Sequence, residues 1–309
     1  MIDRDDIRRA VAEIDGRLLR TPLLSCRTLG PRAHLKAELF QKTGSFKPRG
    51  MLNRIAALSA EEKARGIVTW SAGNAAQGAA FAAATEDIPC TVFMWATANP
   101  LKVAATRGYG AVVDLDAESP ADAHERLLAY VDETGRTFVH PFDDPILQAG
   151  HGTLGLEVSD DLPEVATIVV PVGGGGLIAG VASAVDCRVV GVEPERAPSL
   201  TAALEAGESV RIEPSSVADG LNAPFTGAGT LEVCRERVDE VVLVTEDEIA
   251  EGMRFLYTRA KLACEPAGAA AVAALLAGKV ELEAGSPLVA VVSGGNADPK
   301  VVAGILVSR

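Results

Sequence analysis

Thr43-Gly44-Ser45-Phe46-Lys47-Pro48-Arg49-Gly50 places one lysine between an aromatic ring and a proline, with a glycine on either side. Pro48 has no backbone N–H to give, which suits the first turn of a helix. Met51, Leu52, Ile55, Ala56 and Leu58 then recur at helical spacing. Lys47 is therefore expected at a helix N-terminus, beside the positive end of the helix dipole. That position favours a neutral amine, and a neutral amine is a nucleophile. Alone, such a lysine reads as a solvated cap on an ordinary helix. Three other stretches give it company.

Gly173-Gly174-Gly175-Gly176-Leu177 follows an apolar strand and precedes a helix. Glycines there let backbone amides approach a ligand, and the helix start adds partial positive charge, so the turn suits a phosphate. It lacks the Walker lysine-serine ending and the spaced dinucleotide glycines. Taken alone it is equally a tight strand–helix turn. Ser71-Ala72-Gly73-Asn74-Ala75 also lies between a strand and a helix, where amides and a hydroxyl can receive a carboxylate. Asn74 alone would more often be a helix cap. Ser293-Gly294-Gly295-Asn296 ends a buried-looking strand, and ligands of parallel sheets gather beyond strand carboxyl ends.

The intervening sequence alternates. Ile7, Val11, Ile14 and Leu18 mark an N-terminal helix, and Leu35–Leu39 a strand. Ser59 with Glu62, and Thr245 with Glu248, have capping-box form. Strands are expected at 67–70, 91–94, 111–115, 137–139, 167–170, 188–192, 241–244 and 288–292, with helices at 75–84, 101–107, 121–133, 245–257 and 267–276 between them. Residues 206–229 read as irregular. This alternation predicts an α/β fold of two domains, each a mostly parallel sheet wrapped by helices. His140-Pro141-Phe142-Asp143-Asp144-Pro145 breaks the pattern and marks a crossing between domains. Residues 1–65 and 144–309 are expected to form a large domain, and 66–143 a small one.

The 309 residues carry 29 basic and 42 acidic side chains, a net charge of −13, which argues against nucleic-acid binding. Apolar runs are too short to span a bilayer, and no signal peptide is expected. Five scattered cysteines have no metal spacing and suit a reduced cytoplasm. Four histidines give no metal motif.

Together the four stretches resemble the pyridoxal-phosphate-dependent threonine and serine dehydratases, of the tryptophan-synthase-β-like fold type II. The resemblance runs from Thr21-Pro22-Leu23 to Ser293-Gly294-Gly295-Asn296. It implies that Lys47 holds pyridoxal 5'-phosphate covalently and then acts as general base. It implies that Gly173, Gly174, Gly175, Gly176 and Leu177 cradle the phosphate. Phe46 and Gly220 would cover the two ring faces, Asn74 the ring oxygen and Ser293 the ring nitrogen, with Glu265 a carboxylate beside the cofactor. Ser71, Ala72, Gly73, Asn74 and Ala75 would receive the substrate carboxylate. The implied reaction removes water from L-threonine or L-serine to give a 2-oxo acid and ammonia, in a cytoplasmic homodimer or higher homo-oligomer. No regulatory domain is expected after Arg309.

Departures from the family pattern concern specificity. Ala75 stands where a histidine is common, and His151 where a glutamine is common; the Trp95–Pro100 loop lacks a proline after Met94. All three positions lie near the substrate in the family. Some relatives bind a divalent cation through a Glu-Pro segment. Glu193-Pro194 is present, but Ser199 replaces the expected aspartate, and no metal is expected. Serine racemase is the rival enzyme, yet relatives that racemise carry serine where this chain has Ala72. A β-replacing cysteine synthase and a catalytically silent amino-acid-binding protein are weaker alternatives.

Overall fold

The structure is a computed structural model that describes residues 2–283 and 285–307. Helix α1 (Arg4–Ile14) precedes strands β1 (Leu23–Ser25) and β2 (Ala33–Ala37), then α2 (Lys47–Ala56) and α3 (Ala60–Arg65). Next come β3 (Ile67–Trp70), α4 (Asn74–Thr85), β4 (Cys90–Trp95), α5 (Pro100–Gly108), β5 (Val112–Ala117), α6 (Pro120–Thr134) and β6 (Thr137–Phe138). The chain continues through α7 (Pro145–Asp161), β7 (Thr167–Pro171), α8 (Gly176–Ala184), β8 (Arg188–Pro194), α9 (Ser199–Ala206) and α10 (Ala228–Arg237). It closes with β9 (Glu240–Val244), α11 (Glu246–Phe255), α12 (Pro266–Leu276), β10 (Leu288–Val292) and α13 (Pro299–Val307).

Two sheets result. One has the order β1-β2-β10-β7-β8-β9, parallel except for the β1–β2 pair. The other has the order β5-β4-β3-β6 and is parallel throughout. Helices cover both faces of the larger sheet, so β7 and β10 are buried at every residue and read as unbroken apolar runs. The α/β class read from the alternation is the class observed. Both capping boxes form, Ser59 with Glu62 and Thr245 with Glu248.

The differences have physical causes. β2 ends two residues before the expected strand does, because Glu38–Phe40 tightens into a 3₁₀ turn. That turn carries the Glu38 carboxylate inward to Arg49. α7 was not anticipated, since its glycines blur the apolar period. Those glycines admit close neighbours: a Cβ at Gly150 would lie 2.4 Å from the Arg49 carbonyl oxygen, and one at Gly152 2.8 Å from that of Gly180. α7 thus packs tightly between α2 and α8. α9, α10 and α13 were also not anticipated. The 206–229 stretch is irregular between Gly207 and Gly227 apart from the short turn Asp219–Leu221.

Residues 139–144 link β6 to α7 without regular structure. His140 organises this link. Its Nδ1 accepts hydrogen bonds from the amides of Asp143 (2.8 Å) and Phe142 (3.3 Å), and its ring meets Phe142 edge-on at 4.5 Å. Burial, against the pull of Asp143 and Asp144, lowers its pKa to about 4. The folded value lies below the ordinary 6.5, so the neutral ring contributes stability above pH 6.5 that is lost as pH falls towards 4. His140→Asn keeps an acceptor but cannot take up this proton. Thermal melts across pH 6.5 to 4 are expected to fall more steeply for the native protein than for the variant. Parallel curves would remove His140 from the acid response.

Candidate active site

Lys47 opens α2, with Pro48 in the first turn as the sequence requires. Its Nζ donates to the Pro141 carbonyl at 2.8 Å and lies 5.2 Å from the centre of the Phe46 ring. The side chain lines the cavity and keeps partial solvent contact, yet protein surrounds it, and this desolvation lowers its pKa to about 8. Burial produces the neutral-amine bias that the helix position suggested.

Strand ends bring the separate motifs to one place. β3 ends at Trp70 and delivers the turn 71–75; β7 ends at Pro171 and delivers the glycine tetrad; β10 ends at Val292 and delivers Ser293. These turns, with Phe46, Lys47, Gly220 and Glu265, line one cavity of about 390 Å³. Every residue nominated above as a contact of the cofactor or of the substrate carboxylate lies on its wall: Ser71, Ala72, Gly73, Asn74 and Ala75 on one side, Gly173, Gly174, Gly175, Gly176 and Leu177 on another. Among the described residues, the cavity's cationic side chains are Lys47 and Lys102.

The glycine tetrad is built for close approach. A Cβ at Gly174 would strike the Phe142 ring at 2.3 Å. Gly175 has φ +83°, the left-handed region, and caps α8. The start of α8 lines the cavity and brings the positive end of the helix dipole to it. In a chain of net charge −13, this local field is what an anionic group needs.

Asn74 is not spent as a helix cap, because no side-chain cap bond forms at α4. Its Nδ2 donates to Glu265 Oε1 at 2.5 Å, and its Oδ1 accepts from Asn296 Nδ2 at 2.8 Å. Asn296 Nδ2 also donates to the Thr43 carbonyl at 2.7 Å, which ties this chain to the turn before Lys47. Glu265 precedes α12, is 1% exposed, and its Oε2 has no hydrogen-bond partner. Burial raises its pKa to about 7, against the opposing charge of Lys102. An unpartnered buried oxygen in a cavity wall calls for a polar group in the cavity.

These residues fit pyridoxal phosphate. Lys47 would hold it covalently, the start of α8 its phosphate, and Asn74, Glu265 and Ser293 the polar edge of its ring. Bound, the group supplies an electron sink for an amino acid joined to it.

His151 departs from expectation. It is fully buried behind Phe46, ring centres 4.8 Å apart and planes at 66°, and is not on the cavity wall. Burial, then the Lys47 charge, holds its pKa well below the ordinary value, so the ring is neutral. Gly50 makes room for it: a Cβ there would lie 2.5 Å from His151 Nε2. Ala75 and the loop residues Trp95, Thr97, Ala98 and Asn99 do line the cavity.

Glu193 is buried and already committed. Its oxygens accept from the amides of Leu200 (2.7 Å) and Thr201 (2.9 Å) and from the Thr201 hydroxyl (2.7 Å), so it caps α9. Ser199 donates to the Gly173 carbonyl at 3.0 Å. Among the described residues no cluster of three metal-ligating side chains occurs.

Sequence reasoning missed Pro141, Phe142, Asn296 and Lys102 as parts of the site. The first two sit in the link that broke the alternation, and Asn296 closed a quoted motif. Only Lys102, one polar residue in an ordinary helix, left no signal.

The family model described as "Pyridoxal-phosphate dependent enzyme" matches residues 14–294. An L-threonine ammonia-lyase of Thermotoga maritima is 44% identical over 98% of this chain and 77% of its own. The structure of maize serine racemase superposes with a TM-score of 0.93 at 34% identity, over 98% of this chain and 96% of that one. A threonine deaminase from T.th. gives a TM-score of 0.90 at 39% identity, over 96% and 99%. On the matched family model, the relatives and the fold alike, this chain belongs to the pyridoxal-phosphate-dependent enzymes of fold type II.

Proposed function

We propose that the protein is an L-threonine ammonia-lyase that also accepts L-serine, releasing a 2-oxo acid and ammonia. One observation carries this reading: the desolvated Lys47 amine shares a cavity with both the glycine cradle and the turn 71–75. The amides at the start of α4 receive the substrate carboxylate. Lys47, once free, takes the α-proton as general base, and a pKa of about 8 leaves more neutral amine near neutrality than an ordinary lysine has. The β-hydroxyl leaves as water, and hydrolysis of the resulting enamine gives the 2-oxo acid and ammonia. Both tryptophans of the chain, Trp70 and Trp95, line the cavity with Ala72 and Ala75. Such a wall suits a small neutral side chain bearing a methyl group. The 40–44% identity to named threonine ammonia-lyases and dehydratases supports the same substrate.

The reading extends to residues 66–143 as a small substrate-side domain, and to a cytoplasmic homodimer or higher homo-oligomer. All five cysteines are unpaired, as a reducing compartment leaves them. No described helix is long and apolar enough to cross a membrane. Exposed Leu19 and Phe40 offer apolar surface to a second copy. A monomeric mass by sedimentation would remove the oligomer from this reading.

The likeness to maize serine racemase favours a second reading, racemisation. That reaction needs a proton donor facing Lys47 across the α-carbon. Ala72 presents a methyl group, and His151 is walled off behind Phe46. A missing general acid costs about a hundred- to ten-thousand-fold. With L-serine, pyruvate release is expected to exceed D-serine formation by about a hundredfold or more, both read from one tube by chiral chromatography. L-threonine should give 2-oxobutanoate in the same assay. Racemisation at a rate equal to elimination would overturn the lyase assignment.

A further inference from the structure

α5 starts at the cavity rim and reaches across to the larger sheet's side at two points. Lys102, in its first turns, forms an ion pair with Asp219. Asn99 caps α5, its Oδ1 accepting from the Leu101 amide at 2.9 Å, while its Nδ2 donates to Asp298 Oδ2 at 2.9 Å. Asp298 in turn caps α13 through Oδ1, which accepts from the Lys300 amide at 2.8 Å. Two helix caps therefore hold each other across the rim.

The ion pair is lopsided. The Lys102 side chain is 7% exposed, that of Asp219 54%. A lysine buried to this degree needs its counter-charge, and the counter-charge comes from the opposite side of the cavity. Asp219 belongs to the turn 219–221, which packs on the glycine cradle: a Cβ at Gly173 would lie 3.1 Å from Leu221 Cα. The contact thus runs from the smaller sheet's layer to the segment that would hold a phosphate. The chain crosses between the layers at Gly66 and at 140–144, and neither crossing involves α5. Both ties are non-covalent and can release together. On release Lys102 regains water, which offsets much of the lost attraction. A closed and an open arrangement of similar free energy are the requirement for a gate.

We propose that Lys102 and Asp219, with Asn99 and Asp298 as a second catch, form a clasp that holds α5 over the occupied cavity and keeps the substrate from leaving. The role argued for them is positioning: they hold α5 in place and take no part in the reaction itself. The clasp rests on the reading that this cavity holds cofactor and substrate, but its motion is measurable without turnover.

The test uses the cofactor-loaded enzyme. Hydrogen exchange of residues 96–108 is expected to quicken about fivefold in Lys102→Met and in Asp219→Asn, because a partly exposed pair is worth a few-fold in population. Asn99→Ala should act in the same direction. The KM for L-threonine should rise by a similar factor with kcat changed less. Added salt should raise the native KM but not that of Lys102→Met, since Asp219 is open to screening. The charge-swapped pair Lys102→Asp with Asp219→Lys should recover part of the exchange protection, which a residue merely filling space would not do. Unchanged exchange in both single variants, or a swapped pair no better protected than either single, would overturn the clasp. Quickened exchange in an enzyme inactive on every amino acid would leave the clasp standing and remove the substrate reading instead.

Discussion

Replacing Lys47 with alanine is expected to abolish turnover, by about ten-thousand-fold or more, and to remove the visible absorbance of the loaded protein. Two roles vanish together, covalent anchor and base, and general base catalysis alone contributes about a hundred- to ten-thousand-fold. The fold should survive. The one hydrogen bond of the Lys47 side chain goes to the Pro141 carbonyl, on the cavity wall where water can replace the amine. Circular dichroism and melting temperature should stay close to native. Activity and the visible band are read on the same preparation. Residual turnover within tenfold of native would mean that another group takes the α-proton.

Removing Arg49 is the largest stability change expected. Arg49 sits two residues after Lys47, is 0% exposed, and grips two carboxylates. Its Nε and Nη2 donate to Glu38 at 2.8 and 2.9 Å, and its Nη1 and Nη2 to Glu157 at 2.7 and 2.9 Å. Lys36 joins through Glu157, so two cations face two anions. Burial pushes the Glu38 carboxyl up, but the charge and hydrogen bonds of Arg49 outweigh it and hold the group below its ordinary value. Arg49→Met keeps the bulk and removes the ion pair of Glu38, which has no solvent contact and keeps only the Thr21 hydroxyl and the Lys36 charge. Breaking a buried pair this way costs about 3–5 kcal/mol. Arg49→Lys keeps the charge but loses the fork, so an intermediate loss is expected. Urea unfolding followed by intrinsic fluorescence measures both. A loss below about 1 kcal/mol for Arg49→Met would show that Glu38 protonates or finds water at little cost. The network links the 3₁₀ turn after β2 to α2 and α7, so it also fixes the angle at which α2 presents Lys47.

The site was more legible than the scaffold around it. Lys47, the glycine tetrad, the turn 71–75 and Ser293 are local signals: a strand end, small residues, a helix start. Parallel topology then gathers strand ends on one side without further information. Packing devices were not legible. α7 hides its period because Gly150, Gly152 and Gly155 face neighbouring helices, and only the neighbours explain them. His151 read as a residue near substrate because it stands where the resembling family often has a glutamine close to the substrate. Its burial behind Phe46 depends on Gly50, one hundred and one positions earlier in the chain. Taken alone, Asn74 fits a helix cap, the common local use of asparagine, and only the family resemblance turned it towards the cofactor. Its actual partners, Glu265 and Asn296, lie about two hundred positions away. Long-range pairs of this kind leave no periodic trace.

Lys47 is expected to carry the cofactor in this cavity. Borohydride reduction of the pyridoxal-phosphate-loaded protein, followed by peptide mass mapping, tests it directly. The added cofactor mass is expected on the peptide containing Lys47 and on no other. The mass on Lys102, the cavity's other lysine, or on no lysine at all, would contradict it.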